Sequence, residues 1–251
     1  MVKAVILMAD YGHDPTEAAV PFKAFKDAGF QVSVATETGK PPECDALMLN
    51  GTVGPILGPK PAAVALYKEM IQTPEWKTPA AWTSPNFTLS SYDMVFIPGG
   101  QDKAIRQVID SEDVHKLLVE YFPQTKRPGN KAIGAVCHGV MTLAISKRGD
   151  GKSAIHDVET TTLPGMYEEV SYWGTRAFLG DYYKTYGVPS PTMEAVVRKA
   201  LDNPDAQFKQ SLLPMPFIVE EQKYNYISGR YAVDMDILSE KLVTLGKQLK
   251  A

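Results

Sequence analysis

The sequence predicts an α/β fold with a mainly parallel central sheet. Three observations carry that prediction. Short apolar runs alternate with capped helical segments along most of the chain, as in βαβ units. The first apolar run, Lys3–Met8, lacks in–out alternation, as expected of a strand covered on both faces. The 251 residues are 44% hydrophobic and 22% charged, enough apolar material for one substantial core.

The elements follow in order. Lys3–Met8, "KAVILM", reads as a buried first strand. In the next segment Asp14 is an N-cap, Pro15 sits at N1, Glu17 at N3, and Gly29 closes the helix. Pro21 falls inside it and is expected to kink it. Gln31–Thr36 is the second strand, completing a right-handed βαβ unit. Residues 40–90 are rich in Pro, Gly and Thr, with a helical stretch over 61–72. They read as a loop-rich insertion, not as an independent domain. Tyr92–Pro98 is a strand ending in Gly99-Gly100, and Ser111–Phe122 is a helix capped by Ser111. Lys131–Val136 is a strand that runs into Cys137 and a helix over Gly139–Ser146. Further on, "KSAIHDVETTT" is expected to form a strand running into a loop. An aromatic-rich helical region and a helix over "TMEAVVRKALDNP" follow. "PFIVEEQKYNYISGRYAV" reads as a hairpin or a strand and its return, and an amphipathic helix ends the chain.

Composition excludes several function classes. The formal net charge is −3 and the isoelectric point about 5.9. No basic excess points to nucleic acid or an anionic membrane. No apolar run reaches the length of a membrane span. The N-terminus reads as a strand, not as a signal peptide. With two cysteines, Cys44 and Cys137, and no export signal, free thiols in a reducing, cytoplasmic setting are expected. No ligand cluster at zinc spacing is present, and neither dinucleotide-binding nor phosphate-loop motifs occur. Neither a metal nor a cofactor is therefore expected.

In parallel sheets the active edge lies at the carboxyl ends of the strands. Cys137, Gly99-Gly100 and the loop "DYGHDPTE" all follow strands, so all three belong at that edge. Taken alone, a cysteine in an apolar run is a small core residue. Set between strand and helix in G-A-V-C-H-G, it matches the geometry of a nucleophile elbow. A helix N-terminus favours thiolate. The backbone N–H of His138 can supply half of an oxyanion hole, and the turn at Gly99 and Gly100 in the pocket can bring a second N–H close. Glu17 either only caps its helix or reaches the thiol as a proton acceptor or donor. His13 lines the pocket or is simply exposed. His156 is an alternative base, His115 a surface residue, and Cys44 incidental in a polar loop. The aromatic run "YWGTRAFLGDYYKTY" walls a pocket or packs between subunits.

"VCHG" after an apolar strand, "FIPGG" before it and Glu17 in "PTEAAVPFKAFKDAGFQVSVATETGK" together resemble the ThiJ/PfpI superfamily. The resemblance covers most of residues 1–160 and the C-terminal "SGRY" with its helix. Residues 40–90 and 160–215 match it poorly, the second forming a variable segment of what is read as a single domain, 1–251. The resemblance implies a flavodoxin-like three-layer sandwich and a homodimer. "ETGK" with its preceding residues is nearest the heat-shock chaperone and glyoxalase III branch. It implies attack of Cys137 on a small reactive carbonyl such as methylglyoxal, an oxyanion held by the backbone N–H groups of Gly100 and His138, a proton shuttle through His138 or Glu17, and lactate as product without glutathione or metal. It also implies an acid behind His138, for which Glu159, Asp157 and Glu168 are candidates and Glu159 is chosen. Two alternatives stay open. One is a cysteine hydrolase of the amidase or peptidase type, and the other a non-enzymatic redox-sensing or holdase-type stress protein.

Overall fold

The structure is a computed structural model that describes residues 1–50 and 58–250. Among the described residues the strands are β1 Lys3–Leu7, β2 Tyr11–His13, β3 Gln31–Thr36, β4 Glu43–Cys44, β5 Ala80–Ala81, β6 Met94–Ile97, β7 Ala132–Val136, β8 Ile218–Glu220 and β9 Tyr226–Gly229. The helices are α1 Pro15–Asp27, α2 Ala46–Asn50, α3 Pro61–Met70, α4 Pro74–Lys77, α5 Arg106–Ile109, α6 Glu112–Tyr121, α7 His138–Ile145, α8 Gly165–Leu179, α9 Met193–Ala200, α10 Pro204–Gln207 and α11 Met235–Gln248.

Seven strands form one sheet in the order β5-β3-β1-β6-β7-β9-β8. Every pairing is parallel except β8 with β9. Every residue of β6 and β7 is buried, because helices cover both faces. One helical layer brings α1 against α3 and α11, and the other packs α7 against α5, α6 and α9. This is the three-layer, flavodoxin-like sandwich. None of the helices among the described residues is long and apolar enough to cross a membrane.

Local chemistry explains the helix that carries Glu17. The Asp14 carboxylate accepts the Thr16 and Glu17 amides at 2.7 and 3.1 Å, and Pro15 occupies the first turn, where its missing N–H costs nothing. That cap fixes where α1 starts. It therefore fixes where Glu17 points.

Three expectations need correction. The segment 40–90 is more than loop: it supplies β4, three helices and the edge strand β5, and it buries Tyr67, Met70, Trp76 and Trp82 in the main core. Its residues 51–57 lie outside the described residues. The segment "KSAIHDVETTT" forms turns and isolated bridges, not a strand. The place beside β7 is taken by β9, and Thr160 instead bonds Tyr226 and Ser228 of that strand through its hydroxyl. Cys44 is buried in β4, not set in a polar loop, and its amide donates to the Tyr67 hydroxyl.

Candidate active site

Cys137 joins β7 directly to α7 with φ 55° and ψ −125°. It is the one non-glycine residue with positive φ among the described residues. An L-residue held there stores about 1–3 kcal/mol of strain. The turn persists because both flanking elements are locked. A Cβ on Gly139 would lie 2.1 Å from the Ile97 carbonyl oxygen, so only glycine lets α7 start flush against the end of β6.

Glu17 reaches the elbow from α1. The Gly99 amide donates to its Oε2 at 2.8 Å. A Cβ on Gly99 would come within 2.9 Å of Glu17 Oε2 and within 2.8 Å of both Cys137 Cβ and the His138 nitrogen. Glycine at 99 is what allows the three groups to converge. Glu17 is 2% exposed and Cys137 1%, and their side chains are in hydrogen-bonding contact. Burial, then the charge of Asp14, pushes the Glu17 carboxyl well above its ordinary range. Burial, then the charge on Glu17, pushes the Cys137 thiol up as well. The His138 amide hydrogen-bonds the Cys137 sulfur and works in the opposite direction. Two anions in dry contact are prohibitive, so Glu17 is neutral whenever the thiolate forms.

His138 is buried and its Nδ1 lies 3.6 Å from Cys137 Sγ. Its Nε2 is held by the Thr185 hydroxyl at 2.6 Å. Burial lowers its pKa to about 3, opposed only by a hydrogen bond with the Gly100 backbone. The ring is therefore neutral at ordinary pH.

The structure places the other candidates as follows. Glu159 is not behind His138: its carboxylate pairs with Lys209 at 3.1 Å and is half exposed. That choice is corrected, because the loop after β7 and α7 carries Glu159 toward Lys209, and Thr185 fills the place. Asp157 accepts from the Tyr224 hydroxyl. Glu168 is the acid that approaches the ring, lining one small void with His138 and Thr185, yet it bonds Lys184 and the Met193 amide instead. His156 joins Asp202 at 2.8 Å and Arg148 at 2.9 Å, away from the sulfur. His13 is buried, not exposed, between Tyr67 and Trp76, and it bounds the same small void as Gly99 and His138. Gly100 is bridged to His13. Its amide donates to none of the backbone carbonyls among the described residues. Among the described residues no three His, Cys, Asp or Glu side chains converge to hold a metal.

A cavity of about 400 Å³ opens above Glu17. Asp14, Gln101, Glu168 and Tyr183 give it polar groups, and Leu163, Tyr167, Val170, Pro214 and Tyr231 give it an apolar wall. The aromatic run thus splits. Tyr183 faces the cavity, Tyr172 and Tyr182 pack with it, and Trp173 and Phe178 are exposed. Thr185 carried no signal in the sequence, because its role comes from the return of the chain after α8.

Comparison with known proteins agrees with this architecture. A protein-family model described as ThiJ/PfpI family-like matches residues 8–226. The uncharacterized protein C14C4.04 of Schizosaccharomyces pombe is 26% identical over 245 residues, which is 97% of this chain and 84% of that protein. The protein/nucleic acid deglycase HchA of Staphylococcus aureus is 27% identical over 165 residues, 64% of this chain and 52% of its own length. Glyoxalase III from Candida albicans superposes with a TM-score of 0.69 over 97% of both chains at 16% identity, a likeness of fold. Since the family match runs from the end of β1 through the elbow and on into β9, the chain belongs to the ThiJ/PfpI family.

Proposed function

We propose that the protein is a cofactor-independent cysteine enzyme acting on small reactive carbonyls, converting methylglyoxal to lactate without glutathione. The observation that carries this reading is the dry contact between Glu17 and Cys137 beside a neutral imidazole. A carboxylic acid next to a thiol can move protons in both directions at once. As the sulfur bonds to the aldehyde carbon, Glu17 takes the thiol proton and delivers its own to the carbonyl oxygen. The product is a neutral hemithioacetal, and the acid is unchanged. His138 Nδ1 then takes the proton from the carbon bonded to sulfur, while Glu17 protonates the neighbouring carbonyl oxygen. The enediol collapses by the reverse transfers: His138 returns its proton to the second carbon and Glu17 recovers one from the first hydroxyl. The resulting thioester is hydrolysed by water to lactate and free thiol. The oxyanion would be received by the Gly100 amide, which donates to none of the backbone carbonyls among the described residues. The names of two relatives, a deglycase and a glyoxalase III, support a carbonyl substrate. A hydrolase of the triad type relies on an anion behind its histidine. Here a hydroxyl stands in that place.

The test is lactate formation from methylglyoxal, without glutathione, by wild type, Cys137→Ala and Glu17→Gln. Lactate from wild type and none from either variant is the expected result. No lactate from folded wild type overturns the assignment.

A further inference from the structure

The group that holds His138 is a neutral hydroxyl, although a carboxylate lines the same void. Thr185 Oγ1 is 2.6 Å from Nε2. Glu168 shares one void with the ring and with Thr185. Its two oxygens are taken elsewhere: Oε1 by Lys184 Nζ at 3.3 Å, and Oε2 by the Met193 amide at 2.8 Å. The Lys184 side chain is itself buried and also bonds Glu169. Lys184 and Thr185 are adjacent in the chain, so one turn delivers both the cation that restrains the acid and the hydroxyl that takes its place.

We infer that the Lys184-Thr185 pair is a positioning device for His138: Thr185 orients the ring with Nδ1 toward Cys137, and Lys184 keeps Glu168 off it, so that the imidazole works uncharged. The inference rests on His138 belonging to the proposed site, but it does not depend on which carbonyl is turned over. The titratable groups around the ring are Cys137 on its own turn, Glu17 from α1, His13 from β2, Glu168 from α8, and Lys184 and Tyr186 from the segment after α8. Tyr186 bonds Asp110, and Arg106 of α5 lies over its ring. Of these groups, Glu168 alone combines a carboxylate, a shared void and a removable restraint.

The chemistry follows from charge. A carboxylate on Nε2 would favour imidazolium and, through it, a thiolate–imidazolium pair. A hydroxyl favours neither charged form. The neutral ring is then a modest base and a modest acid in turn, which suits moving one proton between neighbouring carbons.

The experiment is an NMR titration of His138 in isotopically labelled protein, with turnover of methylglyoxal read alongside. In wild type the ring should stay neutral through the working range. In Lys184→Met, with Glu168 released, its titration midpoint should rise to about 5 or above, and adding Glu168→Gln should abolish the rise. Glu168→Gln alone should leave the His138 titration at its wild-type position. Thr185→Val should lower kcat about tenfold with little change in KM, and Thr185→Ser should restore most of it. A His138 midpoint that moves in Glu168→Gln alone, or that does not move in folded Lys184→Met, overturns the role of Lys184. Thr185→Ser no better than Thr185→Val overturns that of Thr185. If methylglyoxal is not turned over at all, the titration arms still decide the inference while the functional reading fails.

Discussion

The Gly99 amide donates to Glu17 Oε2 at 2.8 Å across 82 positions of sequence, and this bond fixes the carboxyl against Cys137. Glu17→Gln keeps an oxygen for that amide and removes the ionisable group. A neutral carboxyl beside the sulfur donates its O–H to the thiolate as that forms, and an amide donates more weakly. Alkylation of Cys137 by iodoacetamide at pH 8 is therefore expected to become slower in Glu17→Gln. Lactate formation should fall about a hundredfold or more, because an amide cannot exchange protons. Faster alkylation in the variant would mean that Glu17 is ionised at rest and that its charge opposes the thiolate.

The strain at Cys137 is measurable in stability. Both Cys137→Ala and Cys137→Gly abolish the nucleophile, but only glycine is at ease at φ 55°. The relief of backbone strain exceeds the extra freedom glycine gains on unfolding. Urea unfolding should show Cys137→Gly more stable than Cys137→Ala by about 1 kcal/mol. An order of stability with alanine first would show that the elbow is not strained. Gly139→Ala, by contrast, should fail to fold at 37 °C, since its Cβ would meet the Ile97 carbonyl at 2.1 Å.

The sheet was legible because buried parallel strands are short, apolar and bounded by turn residues, and β1, β6 and β7 fit that description, while β3 shows the alternating V-S-V-A pattern of a strand. The elbow was legible for the same reason: the cysteine interrupts an apolar strand just where a helix begins. Glu17 was legible as a cap residue and as a group on the active edge, since the N-cap at Asp14 sets its position. What lay beyond the sequence depends on long-range return of the chain. β5 owes its place to pairing of two alanines with β3, which no local pattern announces. Thr185 and Lys184 follow an aromatic-rich helix whose docking decides what they touch, and an ordinary threonine has no signature of its own. Nothing in the sequence separates Glu159 from Glu168, since the burial of Glu168 arises only in three dimensions.

His13 and His138 make the fold sensitive to acid in a way that mutation can isolate. Burial lowers each to about 3 from an ordinary 6.5. Below pH 6.5 the unfolded chain binds protons that the folded one does not, so their contribution is whole above 6.5 and drains away as pH falls toward 3. At pH 5 that loss is about 2 kcal/mol for each ring. Glu17 pulls the other way, because its raised folded pKa favours the folded state as pH falls. A difference between variants removes that background. Neither ring nitrogen of His13 meets a hydrogen-bonding partner among the described residues, so leucine can replace it without stranding a partner. The stability of His13→Leu relative to wild type should increase by about 2 kcal/mol between pH 7.5 and pH 5. A constant difference across that range would show that His13 takes up its proton in the folded protein.

Arg230 and Asp234 hold the wall of the cavity from beneath. Both side chains are fully buried. The guanidinium meets Asp234 at 2.8 and 3.0 Å and also donates to the carbonyls of Ser211, Leu213 and Met215. Asp234 in turn accepts the Phe217 amide at 2.8 Å. One planar fork thus folds the segment 211–217, which carries Pro214 to the cavity and offers the Leu212 carbonyl to the Tyr167 hydroxyl. An ammonium cannot serve so many acceptors in one plane. Arg230→Met strands a buried carboxylate and should cost about 3–5 kcal/mol. Arg230→Lys is the gentler probe, since it keeps the charge and loses the fork. In that variant KM for the carbonyl substrate should rise several-fold with kcat little changed, because the wall loosens while the Glu17–Cys137 contact is untouched. Trypsin should also cut after Lys209, just before the released segment, faster than in wild type. Unchanged KM and unchanged cleavage would mean that the segment keeps its place without the fork, and that Arg230 only fills the core.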